Sequence, residues 1–210
     1  MADLKIVSRP AMESIFLWIA REAVETAEQR EPEMKGSVDA HTNMQHSSIT
    51  AMIMSAMAAE AFINAMAEEN LSRSIWKAVE QLNAVEKWIV VTKLITDKEW
   101  DRGKQPFQDF ATLLKLRNGL THYKPKFVEG DVQFERDFTG QLARRYFNAA
   151  NGMIKGFFEK AGQDVPPAIQ PGTLARGIMR VEFADDKLPG SIHITGSGTL
   201  KRYPGDSDNR

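Results

Sequence analysis

The sequence predicts an all-α protein, an irregular bundle of four to six helices followed by a short β or coil appendage at the C-terminus. Three observations predict it. Between Pro10 and Ala161, stretches rich in Ala, Met, Leu, Ile, Phe, Lys and Glu repeat apolar side chains at three- and four-residue spacing. At Gly162 the composition changes, and the chain from there to Arg210 carries five prolines and six further glycines, which break helices. The length of 210 residues, with 42% hydrophobic and 26% charged side chains, fits one globular domain with a small addition. The boundaries that follow are 1–161 for the bundle and 162–210 for the appendage.

The first helix is expected from Pro10 or Ala11 to about Arg30, with Pro10 in the first turn, where a missing N–H costs little. Ile15, Trp18, Ile19, Ala23 and Ala27 form its apolar stripe. Residues 31–46 carry no stripe and are expected to form a long loop. With Ser47 or Ser48 as N-cap, Ile49 to Glu69 reads as the strongest helix, because Ser55, Glu60 and Asn64 are only a thin polar seam in it. Such a helix belongs at the centre of a bundle or against a partner chain. Residues 72–82 and 86–96 read as two helices, or one broken near Asn83, with Trp76, Val79, Leu82, Trp88, Val91 and Ile95 facing inward. Pro106 opens a helix expected over Phe107 to Tyr123, which must stop near Lys124 because Pro125 follows. The last helix is expected over Phe134 to Ala161, where Gly152 and Gly156 weaken it or let another helix approach closely. Within the tail, residues 178–183 and 191–195 alternate as a hairpin does, and 203–210 read as disordered.

Several classes of function are disfavoured. A net charge of −1 gives no global attraction to nucleic acid or anionic lipid, so any such contact needs a local patch. The chain has no cysteine, which removes disulfides, thiol nucleophiles and thiolate zinc sites. Ile49 to Ala67 is too often interrupted by polar residues to read as a membrane span, and the N-terminal residues lack a signal-peptide pattern. The expectation is a cytoplasmic protein with no membrane partner. His41 and His46, five apart, read as exposed loop residues rather than metal ligands, and no glycine-rich phosphate loop precedes a helix. Neither a metal nor a cofactor is expected.

One polar constellation remains. In KLRNGLTHYK, residues Arg117, Asn118 and His122 occupy the last turns of an amphipathic helix, beside Lys115, Lys124 and Lys126. Arg117 and His122 lie about 140° apart on an ideal helix, so they flank a groove unless the helix end loosens at Gly119. An ordinary basic helix end, favoured by the helix dipole, explains the same residues without function.

These residues also resemble a known family. RNGLTH matches the arginine, asparagine, three-residue gap, histidine signature of the HEPN superfamily, named for higher eukaryotes and prokaryotes nucleotide-binding. The stretch ATLLKLRNGLTHY resembles the helix that carries the motif. SSITAMIMSAMAAEAFINAMAEE resembles its partner helix in bacterial members, with Glu60 and Asn64 where a glutamate and an asparagine often stand. The similarity covers about Ile49 to Ala161. It implies a bundle that forms a homodimer with the two motifs facing each other. Catalytic relatives are metal-independent endoribonucleases, among them toxins and antiphage effectors, so RNA is the implied substrate and an antitoxin protein a further partner. Other relatives keep the fold as non-catalytic binding or scaffold modules.

The chemistry suits the residue types. A neutral imidazole removes the proton of the RNA 2′-hydroxyl near pH 7, and an imidazolium returns one to the leaving 5′-oxygen, giving a 2′,3′-cyclic phosphate. Arg117 supplies a fork of donors to the phosphoryl oxygens. Asn118 orients the histidine or holds the helix end. His122 of the partner subunit would serve the second proton transfer. Lys115, Lys124 and Lys126 would contact flanking phosphates or simply form a solvated helix end. Glu60 and Asn64 would support the motif from behind or fix helix register.

Overall fold

The computed structural model describes residues 4–9, 11–31, 38–122, 138–166, 178–183, 192–195 and 199–202. Among these residues six helices form an irregular bundle: α1 (Met12–Arg30), α2 (Val38–Asn70), α3 (Arg73–Val79), α4 (Ala84–Thr96), α5 (Phe107–Thr121) and α6 (Gly140–Ala161). The 33-residue α2 is the axis and touches each of the other five. Its most apolar stretch, with a mean hydropathy of 1.5, is by length and composition alone long enough to cross a membrane, and half of it is buried inside the bundle.

α2 begins eleven residues before Ile49, so most of the expected loop is helix and His41 and His46 are helical residues. The two serines expected at its start lie inside it. The Ser47 hydroxyl donates to the Asn43 carbonyl at 3.0 Å, and Ser48 is fully buried. The reason is steric. The buried stripe runs Met44, Ser48, Ala51, Met52, Ser55, Ala56 and Ala59, and serine is small enough to replace an apolar residue there. Ser55 satisfies its hydroxyl on the Ala51 carbonyl at 2.7 Å.

Of the expected stripe of α1, Ala27 is buried and Ala23 packs against the core, but the centre of the buried face lies elsewhere. Leu17, Ala20, Val24 and Ala27 are buried, whereas Trp18 is 41% exposed and Ile15 and Ile19 are half-buried. The buried residues alternate Leu17 and Val24 with two alanines, and α1 packs closely on the alanine-rich α2 while Trp18 stays outside. The expected Pro10 start lies outside the described residues.

The break at Asn83 is built as a capping box. Its side-chain oxygen accepts from the Glu86 N–H at 3.1 Å, and the Glu86 carboxylate accepts from the Asn83 N–H at 3.2 Å. Beyond it α4 buries Trp88 and Val91 as expected, and also Lys87 and Thr92. Trp88 is the centre of an aromatic cluster, stacked on Phe62 of α2 at 5.7 Å and edge-on to Phe110 of α5 at 5.6 Å and Phe157 of α6 at 6.4 Å.

α5 ends at Thr121, two residues before the expected end. α6 starts at Gly140, capped by the Thr139 hydroxyl, which accepts from the Leu142 N–H at 3.1 Å. The part of that helix expected over 134–137 lies outside the described residues. At Gly152 and Gly156 the close neighbours are loop residues rather than another helix: Pro106 faces the first and Trp100 the second.

Among the described residues four strands form an antiparallel sheet in the order β1 (Leu4–Arg9), β2 (Ile178–Phe183), β3 (Ile192–Thr195) and β4 (Thr199–Arg202). The expected hairpin is β2 and β3, paired with Ile178 opposite Thr195. The N-terminal strand and β4 were not foreseen. β1 lies against β2 with Leu4 opposite Phe183 and Arg9 opposite Ile178, so the two ends of the chain meet in one sheet. Residues 203–210, expected to be disordered, lie outside the described residues.

Candidate functional site

Helix α5 buries Phe110, Leu113 and Leu114 at helical spacing, and the next position on that face is Arg117. Its guanidinium therefore turns toward the bundle and meets α2, where Glu60 lies on the flank that also carries Ile53 and Met57. Arg117 Nη2 donates to Glu60 Oε2 at 2.6 Å, with the two side chains 22% and 32% exposed. Arg117 Nε is buried and has no acceptor among the described residues. The pair joins positions 57 residues apart and fixes the end of α5 on α2.

An open cleft of about 430 Å³ lies over this pair. Phe16 of α1 and Ile53, Met57 and Ala61 of α2 make its apolar wall, and Glu60, Asn64, Arg117 and Thr121 its polar part. Asn64 stands one turn beyond Glu60 on α2 and accepts a hydrogen bond from Lys87 Nζ at 3.1 Å. Lys87 is 6% exposed and lies 5.8 Å from the centre of the Trp76 ring. Arg117, Glu60 and Asn64, singled out from the sequence, thus share one cleft.

The other motif residues lie elsewhere. Asn118 is exposed, and its carbonyl accepts from the His122 N–H at 3.0 Å. His122 caps α5 with φ −112° and ψ 31°, and its side chain is exposed at the helix end rather than in the cleft wall. The Thr121 hydroxyl donates to the Arg117 carbonyl at 3.0 Å, so main chain and threonine hold this helix end. Lys115 is exposed, and Lys124 and Lys126 lie outside the described residues. Among the described residues no three His, Asp or Glu side chains converge to hold a metal ion.

Lys87 was missed in the sequence, though a signal was there. Ala84, Lys87, Trp88, Val91 and Thr92 follow one another at three- and four-residue spacing on the buried face of α4, and a lysine in such a stripe needs a partner. Trp100 is half-buried and packs against the bundle: its indole N–H donates to the Thr92 hydroxyl at 2.9 Å, and Lys160 Nζ lies 4.7 Å from the centre of its ring.

Compared with protein-family models, with curated proteins and with solved structures, the chain matches none.

Proposed function

We propose that the protein is a metal-independent endoribonuclease that acts as a homodimer, in keeping with the resemblance of RNGLTH to the HEPN motif. The observation that carries this reading is the cleft in which Glu60 holds Arg117, with His122 exposed at the end of the same helix. A guanidinium has five N–H donors, so one bonded to Glu60 still offers several to a phosphate. Glu60 then serves to aim Arg117, and the exposed imidazole reaches the 2′-hydroxyl as general base. With one histidine per motif, the leaving-group proton comes from His122 of the partner subunit. The half-buried apolar flank of α2 beside the cleft, with the 38% exposed Met12 on α1, supports an apolar face for that association.

A second reading is a non-catalytic binding or scaffold module. The Arg117–Glu60 pair supports it, because a carboxylate at 2.6 Å offsets the positive charge that a phosphate would meet.

One experiment separates them. Purified protein in EDTA is expected to sediment as a dimer and to cleave single-stranded RNA and total cellular RNA, leaving the matching DNA intact, because only RNA has the internal 2′-nucleophile. His122→Ala should lower the rate by about 10²-fold or more, and Arg117→Ala by a similar factor, while both variants stay folded. Cleavage that survives His122→Ala, or that requires added magnesium, would falsify this mechanism. Absence of cleavage on every RNA with ligand binding retained supports the scaffold reading.

A further inference from the structure

We infer that Lys87 is a positioning residue of the cleft: its buried ammonium holds the oxygen of the Asn64 amide, so that the amide N–H2 is the group offered to a nucleotide phosphate beside Arg117. The inference rests on reading the cleft as an RNA site, in that it takes the bound acceptor to be a phosphate oxygen.

The orientation of the amide follows from chemistry. An ammonium only donates, so the atom 3.1 Å from Lys87 Nζ must be the acceptor of the carboxamide, and its two N–H donors point away. The side chain of Asn64 makes no other hydrogen bond among the described residues, yet it lines the cleft. Asn64 and Glu60 are one turn apart on one face of α2, so the amide and the guanidinium that Glu60 holds flank the same position. Among the described residues Glu60 is the only carboxylate lining that cleft, and its Oε2 is already bonded to Arg117. Beside that pair the cleft offers donors, the Asn64 amide and the guanidinium N–H groups that Glu60 leaves free, and these suit an anionic, acceptor-rich group.

Lys87 is a costly choice for a purely structural position. Its side chain is largely withdrawn from water, and the Asn64 oxygen and the Trp76 ring face are partners of its ammonium among the described residues. An apolar side chain of similar length would fill the stripe of α4 without that desolvation cost. A lysine has a use at this position if the direction of the amide matters.

The test is binding of a labelled ten-nucleotide single-stranded RNA to the full chain in EDTA, with inorganic phosphate as competitor, and a thermal melt of each variant. Asn64→Asp keeps the shape and gives Lys87 a carboxylate, so the melting temperature should hold or rise, while RNA affinity falls at least about tenfold through loss of the donors and gain of negative charge. Lys87→Met should also melt at or above the parent temperature, and it should weaken RNA about three- to tenfold because the released amide is free to turn. If Lys87→Met does not fold, Asn64→Asp decides alone. A folded Asn64→Asp protein with parental RNA affinity overturns the inference, as does a parent chain that binds neither RNA nor phosphate. Binding that depends on Asn64 without any cleavage leaves the inference standing and removes the nuclease reading. Cleavage that depends on His122 but keeps its parental KM in Asn64→Asp does the reverse.

Discussion

At Gly156 a Cβ would lie 2.7 Å from the indole of Trp100, closer than side chains approach. The indole is held on three sides, by its N–H bond to Thr92, by Lys160 above its face and by the edge contact with Trp88 at 6.0 Å. Gly156→Ala therefore sets two effects against each other. Alanine gains about 1 kcal/mol in helix propensity, whereas overpacking against a fixed aromatic ring costs about 1–3 kcal/mol. The packing cost should win, and urea denaturation should show the variant less stable, by up to about 2 kcal/mol. A higher midpoint at unchanged slope would mean that Trp100 yields easily and that its three contacts do not anchor it. The same residue-scale logic explains why Arg117 was legible in the sequence and Lys87 was not. Arg117 belongs to a motif, while Lys87 has only its place in an apolar stripe, and nothing in that stripe names Asn64, 23 residues earlier, as its partner.

Among the elements, those bounded by strong local chemistry were readable. The Asn83 break, the Pro106 start of α5 and the Gly162 end of α6, where φ is 69°, depend on residues whose backbone preference survives any tertiary context. The start of α2 and the buried face of α1 were not readable, because serines and alanines at close helix contacts look neutral to a hydrophobicity pattern. Contacts between elements are also invisible in sequence, and two of them are expected to make the bundle sensitive to acid. Glu28 of α1 accepts two hydrogen bonds from Arg144 of α6, at 2.9 and 2.6 Å, and Asp109 of α5 pairs with Arg145 of α6, one bond being 2.8 Å. In each case hydrogen bonding to the arginine is the main cause that holds the carboxyl below its usual range. A carboxylate with a lowered value in the folded state stabilises the fold above its ordinary range, and that contribution disappears as pH falls through the lowered value. The melting temperature should then be flat from neutral pH to about pH 5 and drop below about pH 4. Arg144→Met together with Arg145→Met should flatten the acid limb relative to neutral pH. An acid limb as steep as the parent's would assign the loss to other carboxylates.

On the scale of the whole molecule, the helices and the sheet divide the chain differently from their order in sequence. Every member of the buried apolar cluster among the described residues lies between Leu17 and Phe158, with Val165 packed against it. The strands come from both ends: β1 precedes the bundle, and β2, β3 and β4 follow it. A cut at Gly162 alone would therefore leave β1 without the partner it has in β2. An unpaired strand exposes a row of backbone donors and acceptors that invites association with other chains. Residues 11–166 should instead form a self-sufficient unit, because they hold the complete aromatic cluster around Trp88 and the cleft with Arg117, Glu60, Asn64 and Lys87. That shortened chain is expected to keep a helical circular dichroism spectrum and a cooperative melt. A chain of residues 1–166 should melt at a similar temperature but aggregate more readily. If residues 11–166 lose the cooperative melt, the sheet contributes to the stability of the bundle, and the division of the chain into bundle and appendage does not hold.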